Sequence, residues 1–284
     1  MAVRRAVPLI VTAIAAFTFA ACGTNQDASG SNTTGTTTAT SMPVSTTQTG
    51  VVPTTVPSTS VPTTTTPPTT TTTAPPPTTT TTAPDRSDFL AVGSTGPRVL
   101  ALQQRLTALG YWLGTPNGTF GDSTQQAVYA FQKAAGIQRD GIVGPKTAAA
   151  LKTGALPTPR PSTGYVIQVD LSDDLVMFVR DDKVQYVLNT STGGGYTYKS
   201  GSGTAVAITP TGVFHTYREV DGIVTDSLGQ LWRPKFFTGG FAIHGDSFVP
   251  PTPVSHGCVR VSDEAIDWIW SAGLDPIGTE VWVY

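Results

Sequence analysis

The sequence predicts a multidomain chain: a disordered tether, then a small three-helix domain, then a larger mainly-β domain. Three observations predict it. Residues 28–84 carry no charged side chain and consist almost wholly of Thr, Pro, Ser, Gly and Val. Residues 88–153 place apolar side chains at helical spacing in runs that end at glycines. Residues 164–284 alternate apolar and polar residues at period two, in short runs separated by Gly, Pro and Asp.

Arg4 and Arg5 precede a mostly apolar run from Ala6 to Ala21, the positive-then-apolar order of a secretory signal over residues 1–21. Pro8, Thr12 and Thr18 interrupt the run, and it is shorter than the roughly twenty residues a bilayer crossing needs. It ends Phe19-Ala20-Ala21-Cys22-Gly23, which resembles the lipobox of bacterial lipoproteins, with Phe19 where a leucine-like residue is usual. The resemblance implies that Cys22 is lipidated and becomes the mature N-terminus. Cleavage without lipidation and retention as an anchor stay open, and all three fates put the remaining chain outside the cytoplasmic membrane.

Residues 22–87 form the tether. Such a composition buries too little apolar surface to offset the entropy of ordering. In polyproline II, at about 3.1 Å per residue, residues 28–84 reach at most about 180 Å. The stretch reads as a tether through a polymer layer or as a stalk that resists proteolysis, and O-glycosylation fits either.

In the small domain, residues 88–153, Pro97 suits a first helical turn, and Val99, Leu102, Leu106 and Leu109 recur at helical spacing until Gly110. A second helix runs from about Ser123 to Ala135, with Ala127, Val128 and Phe131 inward and Gly136 beyond. A third follows Pro145 and includes Ala148 and Leu151. Asn117-Gly118-Thr119-Phe120-Gly121-Asp122 is echoed by Asp140-Gly141-Ile142-Val143-Gly144-Pro145, each a turn leading through one buried apolar residue into a helix start. These residues, with Leu102-Gln103-Gln104-Arg105-Leu106 and Ala130-Phe131-Gln132, resemble the type-1 peptidoglycan-binding family. The resemblance implies wall-glycan or stem-peptide binding, with Tyr111, Trp112 and Tyr129 as candidate contacts or as packing.

Residues 154–163, with Pro157, Pro159 and Pro161, read as a linker. Charge divides there too: residues 88–152 hold six basic and three acidic side chains, residues 164–284 seven basic and fourteen acidic. Neither has the concentrated basic footprint of a nucleic-acid binder.

The larger domain, residues 164–284, opens with Tyr165–Asp170, followed by a strand–turn–strand signal around Asp181-Asp182-Lys183. One helix is expected after Ser262, with Ala265, Ile266, Ile269 and Trp270 on one face, before a last strand over Glu280–Tyr284.

The chemistry concentrates in Ser255-His256-Gly257-Cys258-Val259-Arg260, with His244-Gly245 upstream. The chain has 2 cysteines and 3 histidines, so with Cys22 otherwise committed Cys258 is an unpaired thiol in an exported protein. A thiol attacks a carbonyl best when an imidazole takes its proton, and the developing oxyanion needs donors. In an extended segment His256, Cys258 and Arg260 share a face. Two histidines and one cysteine make only three zinc ligands, without CxxC or HxxxH spacing; Asp246 would supply a fourth. A structural cysteine would sit more naturally among aliphatics. His215 follows a strand and is set aside.

The same residues, with Ser191-Thr192-Gly193 and Thr209-Pro210-Thr211-Gly212, resemble the L,D-transpeptidase (YkuD-like) catalytic domain. The resemblance implies a β-sandwich that crosslinks peptidoglycan stems. By it, Cys258 attacks the carbonyl of the third residue of a donor tetrapeptide, D-alanine leaves, and an acceptor amine completes a 3→3 crosslink. His244 is implied as general base and acid, and His256, Gly257 and Cys258 as the oxyanion segment supported by Ser255. Arg260 is implied to stabilise the site or meet a substrate carboxylate. Tyr198 and Tyr217 are candidates for the substrate channel, because residues 193–203 and 217–239 read as mobile covering loops. An L,D-carboxypeptidase with water as acceptor and a non-catalytic wall-binding lipoprotein are the alternatives. The expected partners are peptidoglycan stem peptides and glycan, with the membrane engaged through Cys22; a monomer without cofactor or metal is expected.

Overall fold

A computed structural model describes residues 88–284. The predicted signal, Cys22 and the tether lie outside the described residues. No helix among the described residues is long and apolar enough to cross a membrane.

The helical domain consists of α1 (Pro97–Ala108), α2 (Asp122–Ala134) and α3 (Pro145–Thr153). Proline opens α1 and α3, where its missing N–H is no loss. The two echoed turns are built alike. Gly118 and Gly141 both take positive φ, at 77° and 70°, a conformation glycine adopts without strain. Each turn is held by a buried glutamine from an adjoining helix. Gln103 Oε1 accepts from the amides of Asn117 and Gly118, and Gln132 Oε1 accepts from Gly141. Their Nε2 groups donate to Thr124 and Thr147, one in each following helix. Phe120 and Val143, the apolar residues between turn and helix, are buried as expected.

A domain of this size sits near the lower limit for an independent core, and here the core is extended by its neighbour. Leu175 and Val187, from the β domain, belong to the same apolar cluster as Val99, Leu106, Phe120 and Phe131. Tyr111 lies inside this cluster, fully buried, with its ring edge-on to Phe131 and its hydroxyl donating to the Ala155 carbonyl. Trp112 is stacked on a tryptophan of the β domain. Tyr111 and Trp112, two of the three candidate wall contacts, therefore serve packing, since an aromatic beside an interdomain seam buries more surface than one on the outer face.

Residues 154–163 contain no helix or strand and run pinned along the β domain. Arg160 exchanges two 2.8 Å hydrogen bonds with the buried Gln168 side chain, and its guanidinium lies 3.7 Å from the Tyr284 ring centroid.

The larger domain is mainly β. Its elements are β1 (Tyr165–Asp170), β2 (Leu175–Arg180), β3 (Lys183–Asn189), β4 (Thr197–Ser200), β5 (Gly203–Val206), β6 (Gly212–His215) and β7 (Arg218–Glu219). There follow β8 (Ile223–Asp226), β9 (Gly229–Thr238), β10 (Phe241–Asp246), β11 (Val259–Ser262), α4 (Asp263–Ser271) and β12 (Glu280–Val283). One sheet runs β3-β2-β1-β12-β6 and the other β11-β10-β9-β7, with β8 also paired to β9; β4 and β5 form a separate hairpin. The inward residues Ile167, Val169, Val176, Phe178 and Val281 of the first sheet meet Phe237, Ile243, Val259 and Val261 of the second in one core. Ala265, Ile266 and Ile269 of α4 join them, and Ser262 caps that helix through the Ala265 amide.

The segments read as mobile covering loops are largely strands. Residues 197–206 form the β4–β5 hairpin, and residues 218–238 form β7 to β9. Of these, β4, β5 and β8 are mostly exposed, so they lack the apolar pattern that would mark them.

Candidate active site

Strands β10 and β11 run parallel and side by side, with His244 opposite Arg260 and Ile243 opposite Val259. Cys258 sits just before β11, so the cysteine turn is carried to the same edge as His244. A cavity of about 310 Å³ opens there, lined by Cys258, His244, Ser255, His256, Arg260, Tyr198 and Asp246. The β8–β9 hairpin closes one side with Asp226, Leu228, Gln230 and Leu231.

The turn that presents the cysteine is tightly determined. Ser255 is buried; its hydroxyl donates to the Cys258 carbonyl at 2.6 Å and accepts from the Gly257 amide at 3.0 Å. Gly257 has φ 142°, and a Cβ there would lie 2.5 Å from Phe241 Cε1 and 2.8 Å from the Ile208 carbonyl. Only glycine meets both demands. Thr209, from the Thr-Pro-Thr-Gly motif, accepts from the Gly193 amide and donates to the Gly257 carbonyl. The Gly257 amide is thus engaged by Ser255, and its contribution to the expected oxyanion segment is conformational.

His244 is 3% exposed and its Nδ1 lies 2.8 Å from the Gly245 carbonyl. A carbonyl oxygen only accepts, so Nδ1 carries the proton and Nε2 keeps a free lone pair. Burial pushes the imidazole below its ordinary pKa, which the Gly245 carbonyl and Asp246 partly oppose. The β9–β10 ladder shifts register between Ile243 and Gly245, leaving His244 out of step with β9. Such bulges re-aim side chains beside functional sites. Arg233, in the irregular stretch of β9 opposite, takes φ 48° and is held by Asp221 and Asp267.

Cys258 is half-buried, and its thiol points toward the Gly240 carbonyl at 3.8 Å. Burial raises its pKa above the ordinary thiol value, opposed by the Ala242 backbone and by Arg260. Burial thus favours the neutral thiol at Cys258 and the neutral imidazole at His244.

Arg260 Nε lies 3.1 Å from Asp246 Oδ2, although the N–H is not aligned for a hydrogen bond. Asp246, weighed as a fourth metal ligand, is thereby committed to Arg260. Among the described residues no group of three or more His, Cys, Asp or Glu is placed to hold a metal ion.

The other predicted residues divide. The Tyr198 ring lies edge-on to His256 with centroids 4.6 Å apart, and Tyr196 meets the same imidazole at 5.5 Å. Tyr217 is half-exposed, donates its hydroxyl to the Gly239 carbonyl, and does not line the cavity. Sequence reasoning missed Asp226, Gln230 and Leu231, which reach the cavity only because β8 and β9 form a hairpin. It also missed Thr209 as a support of the turn, although the motif containing it was visible.

Similarity to known proteins bears on this geometry. A family model of the L,D-transpeptidase catalytic domain matches residues 164–283, and one of a peptidoglycan binding domain matches residues 95–151. A crystal structure of an L,D-transpeptidase from Xylanimonas cellulosilytica is 50% identical, with TM-score 0.68, covering 71% of this chain and 100% of that one. The chain belongs to the L,D-transpeptidase family. Homology thus supports a reaction of the L,D-transpeptidase type, and the matched peptidoglycan binding domain supports contact with peptidoglycan outside the cytoplasm. Two curated proteins of Bacillus licheniformis also match. The N-acetylmuramoyl-L-alanine amidase CwlL is 43% identical over 76 residues, 26% of this chain and 21% of that protein. A second amidase is 47% identical over 64 residues, 22% of this chain and 18% of that protein. This L,D-transpeptidase family member spans about a fifth of the length of the curated amidases it matches.

Proposed function

We propose that the chain forms 3→3 crosslinks in peptidoglycan through a thioester on Cys258. The observation that carries the reading is the His244 tautomer: Nδ1 tied to the Gly245 carbonyl, Nε2 left as a base in the cavity that Cys258 lines.

In the first half-reaction Nε2 takes the thiol proton as Sγ attacks the carbonyl of the third stem residue. The peptide bond to D-alanine breaks, and the imidazolium returns the proton to the departing amine. In the second, His244 takes a proton from the acceptor amine, which attacks the thioester and releases the thiolate to be reprotonated. Backbone amides of the cysteine turn other than Gly257 face the oxyanion. Arg260, set by Asp246, meets a carboxylate of the stem or steadies the site. Tyr198 and His256 form one wall of the substrate channel.

The helical domain holds the enzyme against the wall polymer, and Cys22 anchors it by lipid beyond the Thr/Pro tether. An L,D-carboxypeptidase reaction, with water in place of the amine, is the second reading. Incubation of the full chain with disaccharide-tetrapeptide separates them by product mass. Crosslinked dimer supports the proposal, tripeptide plus D-alanine alone supports the hydrolase, and intact substrate contradicts both.

A further inference from the structure

Lys133 belongs to α2 of the helical domain, yet its ammonium is buried within the β domain at 1% exposure. Nζ donates to the Asp174 carbonyl at 2.8 Å, the Thr190 carbonyl at 2.8 Å and Asp174 Oδ2 at 3.2 Å. All three ammonium protons are thus matched to acceptors. Asp174, also 1% exposed, holds the next residues with its other oxygen: Oδ1 accepts from the Thr192 amide at 3.1 Å and its hydroxyl at 2.8 Å. One buried pair therefore fixes the segment Thr190–Thr192 from two sides.

That segment is the frame of the cysteine turn. The Thr190 hydroxyl donates to the Arg260 carbonyl at 2.7 Å. Ser191 and Arg260 exchange backbone hydrogen bonds at 3.2 and 3.1 Å, and the Ser255 amide donates to the Thr192 carbonyl at 2.9 Å. Both flanks of Cys258 rest on a stretch whose position is set by a cation from the other domain. Adhesion alone would not call for this arrangement. A buried ion pair holds two surfaces together no better than well-packed apolar residues of similar volume, whereas the lysine donors are directed to backbone carbonyls of the frame.

We propose that Lys133 is a positioning residue for the chemistry at Cys258, so that the helical domain completes the active site as well as holding it at the wall. This rests on the cysteine reading above. Slack of about an ångström in a positioning frame can slow a reaction about a hundredfold, and the loss falls on the chemical step.

The test follows acylation of Cys258 in the full chain by a carbapenem, read by time-resolved mass. In that reaction Sγ bonds to the lactam carbonyl carbon, the ring C–N bond breaks, and the thiol proton passes to the ring nitrogen. One variant combines Lys133→Met with Asp174→Asn. It removes both charges, keeps an acceptor for Thr192, and retains a residue type that tolerates the positive φ of 56° at position 174. The other, Thr190→Val, is isosteric and removes only the hydroxyl link to Arg260. The first-order acylation rate at saturating carbapenem should fall at least tenfold in the double variant and at least threefold in Thr190→Val. The reactive fraction and the half-saturating concentration should not change. A merely structural role would lower the reactive fraction and leave the remaining molecules at the unaltered rate. That result, or unaltered rates in both variants, overturns the proposal. Should the double variant not fold, Thr190→Val alone decides. Absence of any adduct on the unaltered chain would instead contradict the Cys258 reading.

Discussion

Trp112 of the helical domain stacks on Trp268 of α4, with ring centroids 5.1 Å apart and planes inclined by 25°. Phe178 and Tyr186 meet Trp268 edge-on from β2 and β3, at 5.9 and 4.8 Å. An aromatic residue of the small domain therefore closes a cluster that otherwise belongs wholly to the β domain.

Replacing Trp112 by Ala should lower the stability of the described unit by about 3 kcal/mol, the low end for truncating a large core aromatic because the ring is only partly buried. Urea unfolding of the full chain, followed by tryptophan fluorescence, measures it. A change below about 0.5 kcal/mol, the range of ordinary surface substitutions, would show that the stack contributes little.

Ser255→Ala removes both hydrogen bonds that shape the cysteine turn and leaves the buried Gly257 amide without its acceptor. The orphaned group should cost about 1–3 kcal/mol. Carbapenem acylation should slow about tenfold to a hundredfold through misplacement of the thiol, while iodoacetamide still alkylates Cys258. Acylation within twofold of the unaltered chain would remove Ser255 from the machinery.

The site was legible where its signal is local. Cys258, His244 and Arg260 lie in short motifs, and the helices declare themselves through Val99, Leu102 and Leu106 or Ala127, Val128 and Phe131, because side chains on one helical face repeat within a turn. Residues joined only by the tertiary fold were not legible. Nothing around Lys133 marks it as buried, since its partners Asp174 and Thr190 lie 41 and 57 positions away. An aromatic in a segment that reads as a loop looks available to a channel, whereas the segment of Tyr217 is tied to β9 and its hydroxyl to Gly239. Exposed strands such as β4 and β8 bury too little to carry the apolar runs that mark β1 and β2.

The pH dependence follows from the burial of His244 and Cys258. Burial lowers the His244 pKa below its ordinary 6.5, so the base stays neutral at pH 6.5 and activity should fail only further into acid. Burial raises the Cys258 pKa above 9.0, so thiolate should accumulate only above pH 9.0. Iodoacetamide alkylation of the free chain should therefore rise with a midpoint above pH 9.0. Rapid alkylation near pH 6 would reveal a preformed thiolate–imidazolium pair and contradict the neutral resting state.

Thioester formation on Cys258 is read from the intact mass of the full chain quenched early in its reaction with disaccharide-tetrapeptide. A covalent adduct equal to the donor less D-alanine is expected, located on Cys258 by peptide mapping and absent from Cys258→Ala. Substrate turnover with Cys258 never modified, or turnover that survives in Cys258→Ala, would contradict the thioester.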